Sequence, residues 1–205
     1  MTTGAVTLES RLAGSARASI RAGMLILACL AGCSRSHGMQ PMESVVQAAV
    51  IDSLFVRDTT RQVAVGDSTV REATNVVDSD YAHAMQWLAP LPLGLQSDFE
   101  AKEGFREPVD HLPTRVPMQR FTMADRAMWN AQRDPNDYWT AFFRRYPGSP
   151  GRIELSRVGF GRDGNSALVH VEFGCGGRCG STLYVLLARQ AGKWRVLRVA
   201  EPRVS

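Results

Sequence analysis

IELSRVGFGRDGNSALVHVEFGCGGRCGSTLYVLLARQAGKWRVLRV, Ile153 to Val199, reads as strand after strand. Ile153–Phe160 is the first. Asp163-Gly164 favours a tight hairpin after it. Ala167, Val169, Val171 and Phe173 then alternate with Leu168, His170 and Glu172, giving one wholly apolar face and one mixed face. On that mixed face His170 reads as an ordinary surface histidine. Thr182–Ala188 and Trp194–Val199 follow, joined at Gln190-Ala-Gly-Lys193. Four strands with short connections predict an antiparallel β-meander.

Upstream the period changes from two to that of a helix. Pro41 suits a first helical turn, where its missing N–H costs nothing. Val46, Ala49, Val50 and Leu54 follow at helical spacing. Arg61–Val65 alternates as a short strand. Asp78-Ser79-Asp80 reads as a cap before a helix to Leu88. Five prolines (90, 92, 108, 113 and 117) make 89–118 mostly loop, with a helical turn at 97–104. Residues 122–146 return to helix, with Thr122 and Asp134 as candidate caps. Trp139, Phe142, Phe143 and Tyr146 form an aromatic stripe of the kind that packs a core. The expected fold class is therefore α+β, with N-terminal helices packed on a C-terminal four-stranded antiparallel β-meander.

The first 41 residues are of another kind. Arg11, Arg17 and Arg21 precede the apolar run Ala22–Leu30, and Leu30-Ala31-Gly32-Cys33 closes it. The run is shorter than the ~20 residues of a membrane span. Its charge order and length fit a secretory leader. The pattern resembles a bacterial lipoprotein signal peptide with its lipobox. That resemblance implies removal of 1–32, lipidation of Cys33, a tether over 33–41 and a single domain over 42–205. It also implies a cell-envelope location, on the outer membrane facing the periplasm. Residues 34–41 would reach about 25–30 Å when extended.

Without residues 1–33 the chain carries 21 basic and 19 acidic residues, so the full-length charge of +4 falls to +2. Residues 144–205 hold 11 basic against 4 acidic, while 34–143 hold 10 against 15. Two faces of one domain account for the split. An exported chain without an aromatic–basic motif gives no reason to expect nucleic acid.

Cys175-Gly-Gly-Arg-Cys179 is the one cluster with chemistry. A cysteine pair in an oxidising compartment predicts a disulfide that locks a hairpin. Three other readings compete. A redox pair lacks the Cys-x-x-Cys spacing. A metal site would need His170, or the remote His83 and His111. An anion nest would use Gly176, Gly177 and Arg178. The sequence offers no catalytic residue, metal ligand set or cofactor motif. The carboxylate spacings Glu100/Glu103 and Asp134/Asp137 read as solvated surface.

Ser156-Arg-Val-Gly-Phe160, Ala167-Leu-Val169, Cys175-Gly-Gly-Arg-Cys179-Gly180, Tyr184-Val-Leu-Leu187 and Gly192-Lys-Trp194 together resemble a group of uncharacterised bacterial proteins. Val45–Phe55 is similar to the opening segment of that group. The resemblance implies a shared fold and no particular activity. Glu201-Pro-Arg-Val204 stands where the group often carries an aromatic. The expectation is a membrane-anchored envelope lipoprotein that binds an envelope protein or polymer, without enzymatic activity. The alternative is an envelope hydrolase with its site near the Cys175–Cys179 loop.

Overall fold

Helices come first and most strands last in the computed structural model, which describes residues 41–70, 77–103, 105–130 and 134–204. The expected leader 1–32 and the expected tether 33–41, with Cys33, lie outside the described residues except for Pro41, which opens α1. The elements are α1 (Pro41–Leu54), β1 (Val63–Gly66), α2 (Val77–Leu88), α3 (Leu95–Glu103), β2 (Met118–Phe121), α4 (Met123–Asn130) and α5 (Pro135–Arg145). Then follow β3 (Arg152–Leu155), β4 (Gly159–Phe160), β5 (Ser166–Gly176), β6 (Cys179–Gln190) and β7 (Lys193–Val204). His37–Ser205 is one compact unit. No helix among the described residues is long and apolar enough to cross a membrane.

The expected α+β fold on a four-stranded antiparallel meander is wrong. The chain builds a seven-stranded mixed sheet in the order β2-β1-β3-β5-β6-β7, with β4 beside β5. β1 runs parallel to both β2 and β3. The expected strand Arg61–Val65 is present as β1, Val63–Gly66, but its parallel pairing carries no local signal. Val63 and Val65 pack against α1 while Ala64 packs against α5, so β1 is buried on both faces, as strands with parallel neighbours commonly are. β2 is a four-residue edge strand hidden at the end of the proline-rich segment.

The first strand of the expected meander is also interrupted. Ser156–Val158 separates β3 from β4, and both pair with β5. At the break Ser156 N–H donates to the His170 carbonyl at 2.9 Å, and His170 N–H donates to Ser156 Oγ at 2.9 Å. A side-chain oxygen thus replaces one acceptor of the ladder. At the other end, Ala191 and Gly192 have φ of 49° and 78°, the pair of positive values a two-residue hairpin needs between β6 and β7.

Helices cover both faces. On one, α1 supplies Val46, Val50 and Ile51 to a core with Ile153, Leu155, Val169, Val171, Val185 and Leu187. On the other, α2 and α3 pack Ala84, Leu88, Leu95 and Phe99 against Leu168, Tyr184 and Leu186. α5 covers the β1 end of that same face with Phe142 and Tyr146 around Ala64 and Phe121. α3 lies so close that a Cβ on Gly159 would stand 2.5 Å from Phe99 Cβ. Two caps are the ones the sequence marks, whereas the expected cap Asp78-Ser79-Asp80 lies inside α2, which begins at Val77. Asp125 N–H donates to Thr122 Oγ1 at 3.1 Å, and Asn136 N–H donates to Asp134 Oδ1 at 2.7 Å.

α1 is held by charge as well as by packing. Glu43 is fully buried, and Arg157 donates to its carboxylate at 2.7 Å through Nη2. Arg157 also lies 3.6 Å from the buried Glu107. Beside them Gln47 donates to the Ser156 carbonyl at 2.8 Å.

Candidate functional site

Strand alternation places Arg152 and Glu154 on the face of β3 that α5 covers, because Ile153 and Leu155 belong to the α1 core. Register then carries the same face across the sheet. Glu154 pairs with Glu172, Glu172 with Thr182, and Thr182 with Arg203. One row nearer the hairpin, Arg152 pairs with Gly174, and Gly174 with Gly180. Four strands therefore bring acids, guanidiniums and a hydroxyl to one end of one face. A recess of about 220 Å³ opens there, lined by Arg152, Glu172, Phe173, Gly180, Ser181, Thr182 and Arg203.

Ion pairs fix most of this charge. Glu154 is fully buried between Arg126 of α4, in direct contact, and Arg152, whose Nε lies 3.0 Å away. Both guanidiniums sit over the Phe121 ring, at 5.6 and 5.8 Å from its centroid. Arg152 also donates to the Tyr138 hydroxyl at 2.9 Å. Across the recess Arg203 pairs with Asp80 of α2. Glu172 has no ion pair or side-chain hydrogen bond among the described residues. Burial raises its carboxyl above the ordinary range. The neighbouring Glu154 charge adds to the rise, and Arg152, Arg126 and Arg203 oppose it.

Gly174, beside the recess, is small for a reason. A Cβ on Gly174 would stand 3.1 Å from Trp139 Cη2 and 3.8 Å from Arg152 Nη2. Glycine lets α5 and the Arg152 guanidinium approach the backbone there.

Cys175 and Cys179 form a disulfide with their Cα atoms 5.1 Å apart. Strand pairing continues to Gly176 opposite Cys179, so the glycine-rich stretch is a hairpin tip. Gly177 and Arg178 occupy that tip and are exposed; Arg178 does not line the recess. The disulfide closes the two arms that carry Glu172 on one side and Ser181 and Thr182 on the other.

The three histidines among the described residues do not converge. His83 and His111 are exposed, on α2 and on the segment before β2. His170 is buried, contrary to the surface reading, because α2 and α3 cover its face of β5. Its ring stacks on Tyr184 at 4.9 Å, and neither ring nitrogen has a hydrogen-bond partner among the described residues. Burial pushes its pKa down to about 4. No group of three His, Cys, Asp or Glu side chains stands together at metal-binding range among the described residues. Asp134 and Asp137 are exposed, and so is Glu100, which accepts from Tyr81 at 2.9 Å; the side chain of Glu103 lies outside the described residues.

Sequence reasoning missed Arg126, Arg152, Glu154, Glu172 and Arg203 as one cluster. The signal available was a carboxylate inside each of two apolar strands, RIEL and LVHVEF. An acid at an inward position demands a partner. Glu154 finds Arg152 on its own strand and Arg126 on α4, which no local pattern links to it. Comparison with protein-family models, with curated proteins and with solved structures returned no match.

Proposed function

We propose that the protein is a lipid-anchored lipoprotein of the bacterial cell envelope, held on the outer membrane facing the periplasm, whose domain is a non-enzymatic binding module. The single observation that carries the binding reading is the polar recess at the base of the β5–β6 hairpin. Its cationic side chains are held in place by buried or half-buried ion pairs before any ligand arrives. Such pre-organisation reduces the entropy lost on binding. The address rests on the leader and on Cys33, and the partners are the membrane, through the lipid, and an envelope protein or polymer. Membership of the bacterial group that its C-terminal blocks resemble belongs to the same reading.

Two measurements test this. Metabolic labelling with an alkyne fatty acid should tag the protein, and Cys33→Ala should abolish the tag and release the protein from the membrane fraction. A photocrosslinking residue at Thr182, in the recess, should capture an envelope component that the same residue at Gln190, exposed at the far end of β6, does not. Equal capture at both positions would sink the binding reading.

Glu172 favours a second reading, an envelope hydrolase at the same recess. A carboxyl held above its ordinary range is suited to donate a proton. Glu154, the carboxylate opposite it, is fully buried between two arginines and is out of a substrate's reach. A hydrolysis screen of the purified protein against ester, amide and glycoside substrates decides between the two. Turnover lost in Glu172→Gln would establish the enzyme; no turnover leaves the binding module.

A further inference from the structure

We propose that the recess receives a single carboxylate group, carried by a small organic acid or by the C-terminus of a peptide. The inference deepens the binding reading above and rests on it.

The recess is rich in donors. Arg152 uses Nη1 for Tyr138, its Nε lies 3.0 Å from Glu154 without a hydrogen bond among the described residues, and its Nη2 lies beside Gly174 at the edge of the recess. Arg203 holds Asp80 through Nη2 and is half exposed, which leaves donors facing the opening. The Thr182 hydroxyl stands between the two arginines, in the row that joins Glu172 to Arg203. A carboxylate accepts from such donors through two oxygens, and guanidinium forks match that geometry.

Charge selects among anions. The groups facing Glu172 are Glu154 and Arg152 from β3, Arg126 from α4, Thr182 from β6 and Arg203 from β7. Tyr138 of α5 and Asp80 of α2 hold the two arginines from behind. Three guanidiniums thus face Asp80, Glu154 and Glu172. With all three acids ionised the cluster is neutral. When Glu172 holds its proton, one positive charge is uncompensated, and the carboxyl becomes a fifth donor group beside the arginines and Thr182. One negative charge then completes the cluster. A dianionic phosphate would bury a charge without a partner, which is costly.

Size agrees. About 220 Å³ is roughly seven times the ~30 Å³ share of one water. That space takes a carboxylate and a short side chain. The Cys175–Cys179 bond holds the arms of the hairpin on which Glu172 and Thr182 sit.

Where Glu172 is ionised in the free protein, binding must take up a proton, since the ligand's charge replaces that of Glu172. Affinity is therefore full where Glu172 is protonated in the free protein, and falls as pH rises beyond that range, by up to about tenfold per unit.

The experiment is calorimetric titration of the purified, processed protein in detergent micelles between pH 5 and 8. The probes are propionate, N-acetyl-Ala-Ala as its free acid, the same peptide as its amide, and inorganic phosphate. The expected result is that the free acid binds at least about tenfold tighter than the amide and than phosphate. Arg203→Gln should weaken the acid by about tenfold or more without lowering Tm, and Glu172→Gln should bind with a flat pH profile. Propionate matching the peptide acid identifies a small acid; a tighter peptide identifies a chain terminus. Equal binding of acid and amide, preference for phosphate, or no binding of any probe overturns the carboxylate. If Thr182 crosslinking still captures an envelope component selectively in that case, the binding module stands and only its ligand class falls. If crosslinking fails as well, both fall.

Discussion

His170 and Glu172 sit two residues apart on one face of β5 and respond to pH in opposite senses. His170 is held down to about 4, so between that value and its ordinary 6.5 the unfolded chain binds more protons than the folded one. Its contribution to stability is complete above pH 6.5 and is lost as pH falls toward 4. A shift of this size is worth up to about 3 kcal/mol at ~1.36 kcal/mol per unit. Glu172 is held above its ordinary value, so folding favours its protonated form. Its contribution is present below the ordinary value of 4.5 and is lost as pH rises through the folded value. His170→Phe keeps the stack on Tyr184 and removes the proton acceptor. Its Tm should decline less than that of the parent chain between pH 7 and pH 4.5; parallel declines would refute the burial account. His170 was legible in the sequence as one of three residues on a mixed face. Its burial was not, because the helices that cover it precede it in the chain by some seventy residues or more.

Among elements, the β5–β6 hairpin shows how much a short disulfide adds. A five-residue loop gains about 2 kcal/mol of closure entropy. The strands already pair from Ser166 opposite Ala188 up to Gly176 opposite Cys179. Replacing both Cys175 and Cys179 by serine should therefore lower stability by about 2 kcal/mol in denaturant titration, with the far-ultraviolet dichroism unchanged. Loss of the strand signal would mean that the bond organises the sheet. β7 displays the opposite concern. It is an edge strand of twelve residues, with register shifts opposite Thr182/Tyr184 and Leu186/Leu187, Pro202 near its end, and Arg195 and Arg198 along it. Bulges, proline and cations are devices that keep such an edge from pairing with another chain. The antiparallel strands could be read because their turns are local: Asp163-Gly164 and Ala191-Gly192 each announce a reversal. β2 could not, and β1 could be read as a strand but not as a parallel one. A parallel neighbour is brought by a long crossover, and four residues carry too little pattern to name it.

At the scale of the molecule, three layers are joined by contacts that are remote in sequence. The Glu43–Arg157–Glu107 group ties α1 to the break between β3 and β4 from inside the protein. Arg157→Ala strands two buried carboxylates and should cost about 3–5 kcal/mol. Substituting Arg157 and both acids by apolar residues of similar size should cost far less. Chemical denaturation of the single and triple variants checks both, and equal losses would show that packing alone holds α1. None of this group was legible beforehand, since Glu43 and Arg157 lie 114 residues apart.

That separation governs when the domain is able to fold. The buried polar groups of α1 find their partners, Ser156 and Arg157, on a segment that follows by more than a hundred residues, while Asp52 near its end pairs with Arg115. During synthesis Glu43 and Gln47 therefore stay without those partners until the last quarter of the chain has appeared. A helix whose buried charge is answered so late completes its docking only near the end of synthesis.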